Sequence, residues 1–554
     1  MIRDRLLDLG FAELYFDPTR KSYRRTGMKV GIIFVYMDFH RKGKHHRGIL
    51  QPQIGPLIAA LLPPDVEVEV VNDTWEDPDW NKDYDLLFIS SLHSDFDRAR
   101  QISHYWRRRG AKTVYGGIMA STYAHLCQPF FDSVVIGDPE GSVQQIYKDF
   151  CKGEMKPVYI SSAYDAASVP VPRLDLLATK QVAPLSFEAT RGCPFTCEFC
   201  ALTGIGTRHH IRPPEMVVRD IEEGRRMLRG LIPDYKLYIT VFNDNNIGGN
   251  LAHLKQLCEA ITPLRLFWGS AITFNAVTDE DVVKALSRSG CRFLFMGLES
   301  FNQEAISDMH KYQNTIDQTK TVMDQCRKHG IIVVSGLMVN PTIDDSEYMH
   351  TIPARLKECG LHVPSFICFE CPIPGTPHFH RLAAEETPAF LPDALLRDFT
   401  GYTLVTKPKR EPVDVFINTY KTVMKKSFST TAKIRKLADD LPRFLSNGFW
   451  SSTVTDIVLN KLSVWEPHPN RTFLAGTDVP PPEATSVPLT ASDFNSEEEH
   501  RRIMEPWKVT DSEGRVLPQW LLSSRVFGAK GRVSITPRKP NEEFGISQHL
   551  EAAI

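Results

Sequence analysis

Three of the chain's eleven cysteines fall within ten residues, RGCPFTCEFC at 191–200. Cys193, Cys197 and Cys200 are spaced C-x3-C-x2-C. So short a loop can fold three thiolates around one metal centre, and thiolates are soft ligands that suit iron–sulfur clusters. A closed four-thiolate site, of zinc or of a cluster, needs a fourth cysteine nearby, and the next is Cys258. Three ligands on a [4Fe–4S] cluster leave one iron open to a small molecule. In the alternative reading the three are unrelated buried thiols, Gly192 and Pro194 shape the turn and Phe199 packs it. The other eight cysteines read as ordinary thiols. Cys368 and Cys371 have the spacing of a redox pair, but an offset of three in a strand sends them to opposite faces. An odd count, about 2% of the chain, speaks against a disulfide scaffold and for a reducing, cytoplasmic setting.

A strand precedes this loop. Apolar runs at 185–188, 236–242, 264–273, 293–298, 331–338 and 365–369 alternate with helical patterns at 214–228, 251–261, 279–289, 315–329 and 346–358. Six βα repeats predict a partial (β/α)6 barrel over 181–380, whose functional face is the loops after its strands. Residues 28–151 alternate in the same way, with strands at 30–37, 66–71, 86–90, 113–115 and 134–136 and helices at 52–62, 96–109 and 141–150. That pattern predicts a doubly wound, Rossmann-like parallel sheet, which binds ligands outside the carboxyl ends of its strands. The fold class is therefore α/β. Residues 1–27 form a polar, basic extension and 152–180 a linker. Helices at 393–399, 413–427 and 432–444 make 381–464 a mostly helical, substrate-side region. Residues 465–554 hold 10 prolines and read as a loosely ordered tail, or one that wraps the core in extended form.

Composition narrows the function. With 65 Lys and Arg against 67 Asp and Glu, the chain lacks the basic excess of a nucleic-acid binder. Apolar residues make up 42% and charged ones 24%, as in ordinary globular proteins. No apolar run approaches the length of a membrane-spanning helix, so any membrane contact is expected to be peripheral. The first 25 residues lack the apolar core of a secretory signal.

The cysteine loop resembles that of radical S-adenosylmethionine (SAM) enzymes, and the resemblance runs over roughly residues 180–380. Phe199, just before the last cysteine, is aromatic in that family too. The resemblance implies that Cys193, Cys197 and Cys200 hold a [4Fe–4S] cluster whose open iron chelates SAM, and that SAM is cleaved to a 5′-deoxyadenosyl radical. It implies an electron donor such as flavodoxin or ferredoxin. Phe242–Asn246 (FNDNN) resembles the F-x-D-D-N stretch that receives the SAM amino group, which points to Asp244; Asn245 departs from the second Asp. An Asx turn or helix cap before Leu251 is the other reading of Asp244. Gly297-Leu298-Glu299-Ser300 resembles the family's G-L-E-S, in which Glu299 would bond the SAM ribose. The other reading of Glu299 is an acid at a helix N-terminus. Ser335 and Gly336, and the PIPGTP loop containing Pro374, also match and imply further SAM contacts.

The first sheet adds a second resemblance, to the cobalamin-binding subclass. Asp38, His40 and Gly43 match D-x-H-x-x-G after the first strand. Ser90 and Leu92 match S-x-L after the third, Gly116 and Gly117 match G-G after the fourth, and Gly137 opens the final turn. The resemblance implies a cobalamin site, with His40 as a cobalt ligand oriented by Asp38. The alternative is that this basic loop only solvates itself or meets the cofactor's phosphate and amide arms. Together the resemblances imply methyl transfer to an unactivated carbon through a substrate radical and methylcobalamin. The alternatives are a ring-forming cyclase like the porphyrin ring-E group, and a non-catalytic cobalamin sensor. The segments PIPGTPHFHRLAAE and LLRDFTGYTL resemble the lipid- and pigment-modifying branch, which implies a hydrophobic polycyclic substrate, hopanoid-like first. Phe390, Leu391, Leu395, Leu396, Phe399, Tyr402 and Phe416 either line a cavity for it or form core.

Overall fold

The computed structural model describes residues 27–35, 53–73, 75–161, 164–177, 179, 183–206, 208–311, 316–446, 487–521, 525–527 and 533–535. Asp38, His40 and Gly43 lie outside these residues.

Two parallel sheets organise the chain. The first contains β1 (Lys29–Phe34), β2 (Glu67–Asn72), β3 (Leu86–Ser90), β4 (Lys112–Gly116), β5 (Ser133–Ile136) and β6 (Val158–Ile160), in the order β2-β1-β3-β4-β5-β6. β3 is buried along its whole length, which is why it reads as the unbroken apolar run LLFIS. The order reverses direction between β1 and β3, so the crevice for a ligand opens at the carboxyl ends of those two strands. β6 falls in the segment read as a linker. It pairs in register with β5, Val134 to Val158 through Ile136 to Ile160, so the sheet extends past residue 151. A three-residue strand is too short for a periodicity signal.

The second sheet begins at β7 (Leu185–Phe187). A short antiparallel pair follows, β8 (Thr190–Arg191) with β9 (His210–Ile211). The sheet continues through β10 (Ile239–Phe242), β11 (Phe267–Ala271), β12 (Cys291–Glu299), β13 (Ile332–Val339) and β14 (Phe366–Phe369). All six members are parallel and lie in sequence order, β7 at one edge and β14 at the other, as an open six-stranded barrel wall requires. One hydrophobic core fills the space between this wall and its helices, and the helix Val413–Ser427 adds Phe416, Ile417, Tyr420 and Val423 to it.

The C-terminal region does not stand apart. Residues 393–399 form only a 3-10 turn, Leu396–Asp398, instead of the expected helix. Their backbone bonds to a later segment instead: Leu396 donates to Trp507 O at 2.7 Å and Val509 donates to Ala394 O at 2.8 Å. Within the tail read as loosely ordered or as wrapping the core in extended form, residues 487–521 pack against the helix Phe96–Arg107 of the first sheet. Trp520 is fully buried, the Trp507 ring lies 5.0 Å from Phe96, and Trp520 Nε1 donates to Lys508 O at 2.7 Å. Four aromatic or aliphatic anchors (Val487, Val509, Trp507, Trp520) offset the ordering cost that a proline-rich composition suggests the tail would avoid. Phe390, Leu395, Leu396, Phe399 and Phe416 are buried core, and Tyr402 is partly exposed.

Candidate functional site

The cysteine loop runs from β8 to the helix Ala201–Ile205, at the carboxyl end of the barrel wall. All eleven cysteines are free thiols. Burial pushes the Cys200 thiol up to about 11, and the nearby Cys197 and Cys193 sulfurs push it the same way. The three cysteines share one loop, and Cys197 and Cys193 stand near enough to Cys200 for their charges to act on it, which suits thiolates whose charge an iron cluster would offset.

The FNDNN stretch after β10 braces this loop. Asn246 Nδ2 lies 3.8 Å from Cys193 Sγ as a donor, and Asn246 Oδ1 accepts from Thr273 N at 3.3 Å. Asn245 Oδ1 accepts from Gly192 N at 3.2 Å. Asp244 is buried and its carboxylate accepts from Ala189 N at 3.2 Å and from Thr190 N. Burial nevertheless lifts its pKa to about 7. The Asp244 carboxylate therefore fixes the backbone that leads into the cysteine loop. Asn246, the last residue of the stretch likened to F-x-D-D-N, was given no role of its own from the sequence; the structure sets it against Cys193.

On the other side, Glu299 ends β12 at a register shift and has φ 66°, a left-handed conformation that costs a non-glycine residue about 1–2 kcal/mol. Its carboxylate pairs with the buried Lys311, whose Nζ also donates to Gly297 O at 3.1 Å and lies 6.0 Å from the Phe199 ring. Lys311, twelve residues on, was not foreseen. Phe199 packs with Ala305, Met309, Met338, Ile343 and Cys368. Ser335 bridges two strands, donating to Met296 O at 2.7 Å and accepting from Leu298 N at 3.3 Å. Gly336 lacks a side chain where the Phe366 ring stands. Asp308, Glu370 and His378 bring three potential ligand atoms within 4.8 Å of one another. A cation already stands against two of them: Arg381 Nη2 is 3.1 Å from Asp308 and 3.0 Å from His378 Nδ1. Arg381 Nε also donates to Glu198, inside the cysteine motif, at 3.0 Å.

The first sheet meets this face. Gly117 has φ 108° and opens the helix Ile118–Thr122; a Cβ there would stand 2.8 Å from Ser91 O, so only glycine lets the two turns close together. A Cβ on Gly116 would meet only Val135 Cβ, at 3.9 Å, an ordinary contact. Leu92 is 40% exposed at the same edge, Ser90 is buried, and Gly137 donates to Ser121 Oγ at 3.1 Å. These residues share the carboxyl end of the sheet, a cradle of small residues that fits a large planar cofactor. The junction with the barrel is Gly375, beside the buried Pro374. Gly375 has φ 94° and its missing Cβ faces Thr122, while Gly204 of the post-cysteine helix packs 2.8 Å from Gly375 O, measured from an ideal Cβ.

Comparison with known proteins agrees with this geometry. Residues 187–352 match the radical SAM superfamily. The chain is 25% identical over 339 residues to the bacteriochlorophyllide d C-8(2)-methyltransferase of Chlorobaculum tepidum, 59% of this chain and 74% of that protein. It is 22% identical over 352 residues to the hopanoid C-2 methylase of Rhodopseudomonas palustris, 61% of this chain and 65% of that one. Among solved structures, the fold is similar to the cobalamin-dependent S-adenosylmethionine radical enzyme OxsB with aqua-cobalamin and S-adenosylmethionine bound (TM-score 0.54, 12% identity, 82% of this chain and 76% of that one). It is also similar to the radical S-adenosylmethionine methyltransferase TsrM from Kitasatospora setae with cobalamin and a [4Fe–4S] cluster bound (TM-score 0.50, 17% identity, 70% and 83%). The chain thus carries a radical SAM domain over residues 187–352 and is similar in sequence to bacteriochlorophyllide and hopanoid methyltransferases.

Proposed function

We propose that this chain methylates an unactivated carbon of a hydrophobic polycyclic substrate, of the hopanoid or chlorin kind. The observation that carries the reading is the Thr122–Gly375–Gly204 junction, where the ligand edge of the first sheet meets the helix that follows the cysteine loop. Two ligand-bearing edges facing each other suit a reaction in which a radical made at one is quenched by a methyl group carried at the other. When bound, the cluster supplies an electron and an open iron for SAM, SAM supplies the radical, and cobalamin carries the methyl group.

The chain's residues do the rest. Cys193, Cys197 and Cys200 hold the cluster, and Asn246 steadies Cys193 with a donor at 3.8 Å. Glu299 is held by Lys311 so that one carboxylate oxygen can accept a ribose hydroxyl. Phe199, Ser335, Gly336 and Pro374 shape the SAM side, and Phe199 with Tyr402 screens it from water. Ser90, Leu92, Gly116, Gly117 and Gly137 would bound the cobalamin cradle; Asp38, His40 and Gly43, outside the described residues, are its further candidates by sequence, with His40 as a cobalt ligand. The working divisions are 28–161 for cobalamin, 181–380 for the barrel and 381–521 as a cover shared by both. A flavodoxin- or ferredoxin-like donor supplies electrons in a reducing cytoplasm. Among the described residues no helix is long and apolar enough to cross a membrane, so a lipid substrate would be met at the bilayer surface.

Methyl transfer is favoured over ring formation because the match to the methyltransferase covers 74% of that protein, against 52% for the anaerobic magnesium-protoporphyrin IX monomethyl ester cyclase of Rubrivivax gelatinosus. The test is product analysis with the anaerobically reconstituted enzyme and extracted lipids or pigments. S-adenosylhomocysteine and 5′-deoxyadenosine should form in equal amounts per methylated product. Formation of 5′-deoxyadenosine alone rejects methylation.

A further inference from the structure

Arg191 stands in β8, two residues ahead of Cys193, and joins the two sheets through one guanidinium. Its Nη2 lies 2.7 Å from Glu188 and 2.8 Å from Glu140, and its Nη1 lies 3.1 Å from Glu140 and 3.6 Å from Asp138. Nε adds a second contact to Glu188 at 3.1 Å, and the Tyr164 ring covers the group at 4.6 Å. The side chain is only 10% exposed. Glu188 follows β7 of the barrel wall, whereas Asp138 and Glu140 follow Gly137 in the turn after β5 of the first sheet.

We propose that Arg191 is a positioning residue that fixes the separation of the Gly137–Glu140 turn from the cysteine loop, and so the separation of cobalamin from the cluster. The proposal rests on the reading that both cofactors bind. Each flank of the joint is already fastened. Gly137 donates to Ser121 Oγ at 3.1 Å, and Ser161 Oγ donates to Asp138 O. On the other side Gly192 donates to Asn245 at 3.2 Å. The guanidinium is the element that joins the two fastened turns. Its planar fork meets Glu140 and Glu188 through separate N–H groups in a fixed geometry, whereas a lysine would offer both carboxylates a single nitrogen on a flexible stem. Removing it would also leave three partly buried carboxylates facing one another across the joint.

The test is a spin–spin distance. Pulsed electron paramagnetic resonance on the holoenzyme, with cob(II)alamin and the reduced cluster both paramagnetic, should give one narrow distance in the wild type. Arg191→Lys should broaden or shift it while iron and cobalamin content per chain stay unchanged, an effect that general loss of stability would not produce. Glu140→Gln, a milder change, should broaden it less and serves if the arginine variant does not fold. A variant loaded with both cofactors and showing the wild-type distance overturns the proposal. If the wild type takes up no cobalamin, the functional reading fails separately. The clamp is then judged by hydrogen exchange at 138–141 and 190–193, which must quicken in Arg191→Lys or the proposal falls.

Discussion

Replacing Gly375 by alanine should loosen the whole molecule from a single junction. Its φ of 94° costs an alanine about 1–2 kcal/mol. The new Cβ would also fall within the Thr122 methyl, and relieving such overpacking costs about 1–3 kcal/mol more. The sum is a loss of about 2–5 kcal/mol. The two parts can be separated. Thr122→Ser removes the Cγ2 methyl but keeps the hydroxyl, which donates to Ile118 O at 2.8 Å. In that background Gly375→Ala should cost only the backbone share, leaving a coupling of about 1–3 kcal/mol between the sites. Urea denaturation of the four proteins in the cycle measures it. Equal costs for Gly375→Ala in both backgrounds would refute the contact between the first sheet and the barrel, and with it the facing of the two ligand edges.

Three other outcomes are expected. Cys197→Ala should fold yet lose the iron, the sulfide and the brown absorbance of reconstituted protein, and full SAM cleavage in that variant would contradict the cluster assignment. Burial lowers the His93 pKa to about 3, so the unfolded chain binds the extra proton below about pH 6.5. Stability from this residue is therefore complete above that pH and falls as the pH drops, by about 2 kcal/mol at pH 5. His93→Gln should flatten the pH dependence of the denaturation midpoint, and parallel curves would count against the burial. Trp520→Ala should cost about 3–5 kcal/mol and expose residues 487–521 to trypsin, and an unchanged digest would mean the tail is not anchored there.

The strands and the cysteine loop were legible because their signals are local. A strand buried on both faces, such as β3, is a run of apolar residues, and C-x3-C-x2-C needs no partner from elsewhere. What was not legible depends on residues far apart. Lys311 finds Glu299 only because the chain turns back through the helix Gln303–Asp308. Asp244 was weighed as a SAM ligand or a cap, but the bonds it makes are to backbone 54 and 55 residues earlier. The order of 487–521 comes from a sheet some 400 residues upstream, and no periodicity in a proline-rich segment announces such a partner.

That last packing also sets a timetable. Arg100, in the helix Phe96–Arg107, donates to the carbonyl of Arg502, across a separation of 402 residues. At about 5–20 residues per second, a ribosome delivers the second partner roughly 20–80 s after the first. Through that interval the helix keeps Phe96 and Trp106 on a nascent sheet whose outer cover has not yet been made. The first sheet thus waits through that interval for its outer cover, and a chaperone or a cofactor-delivery protein would find it open then.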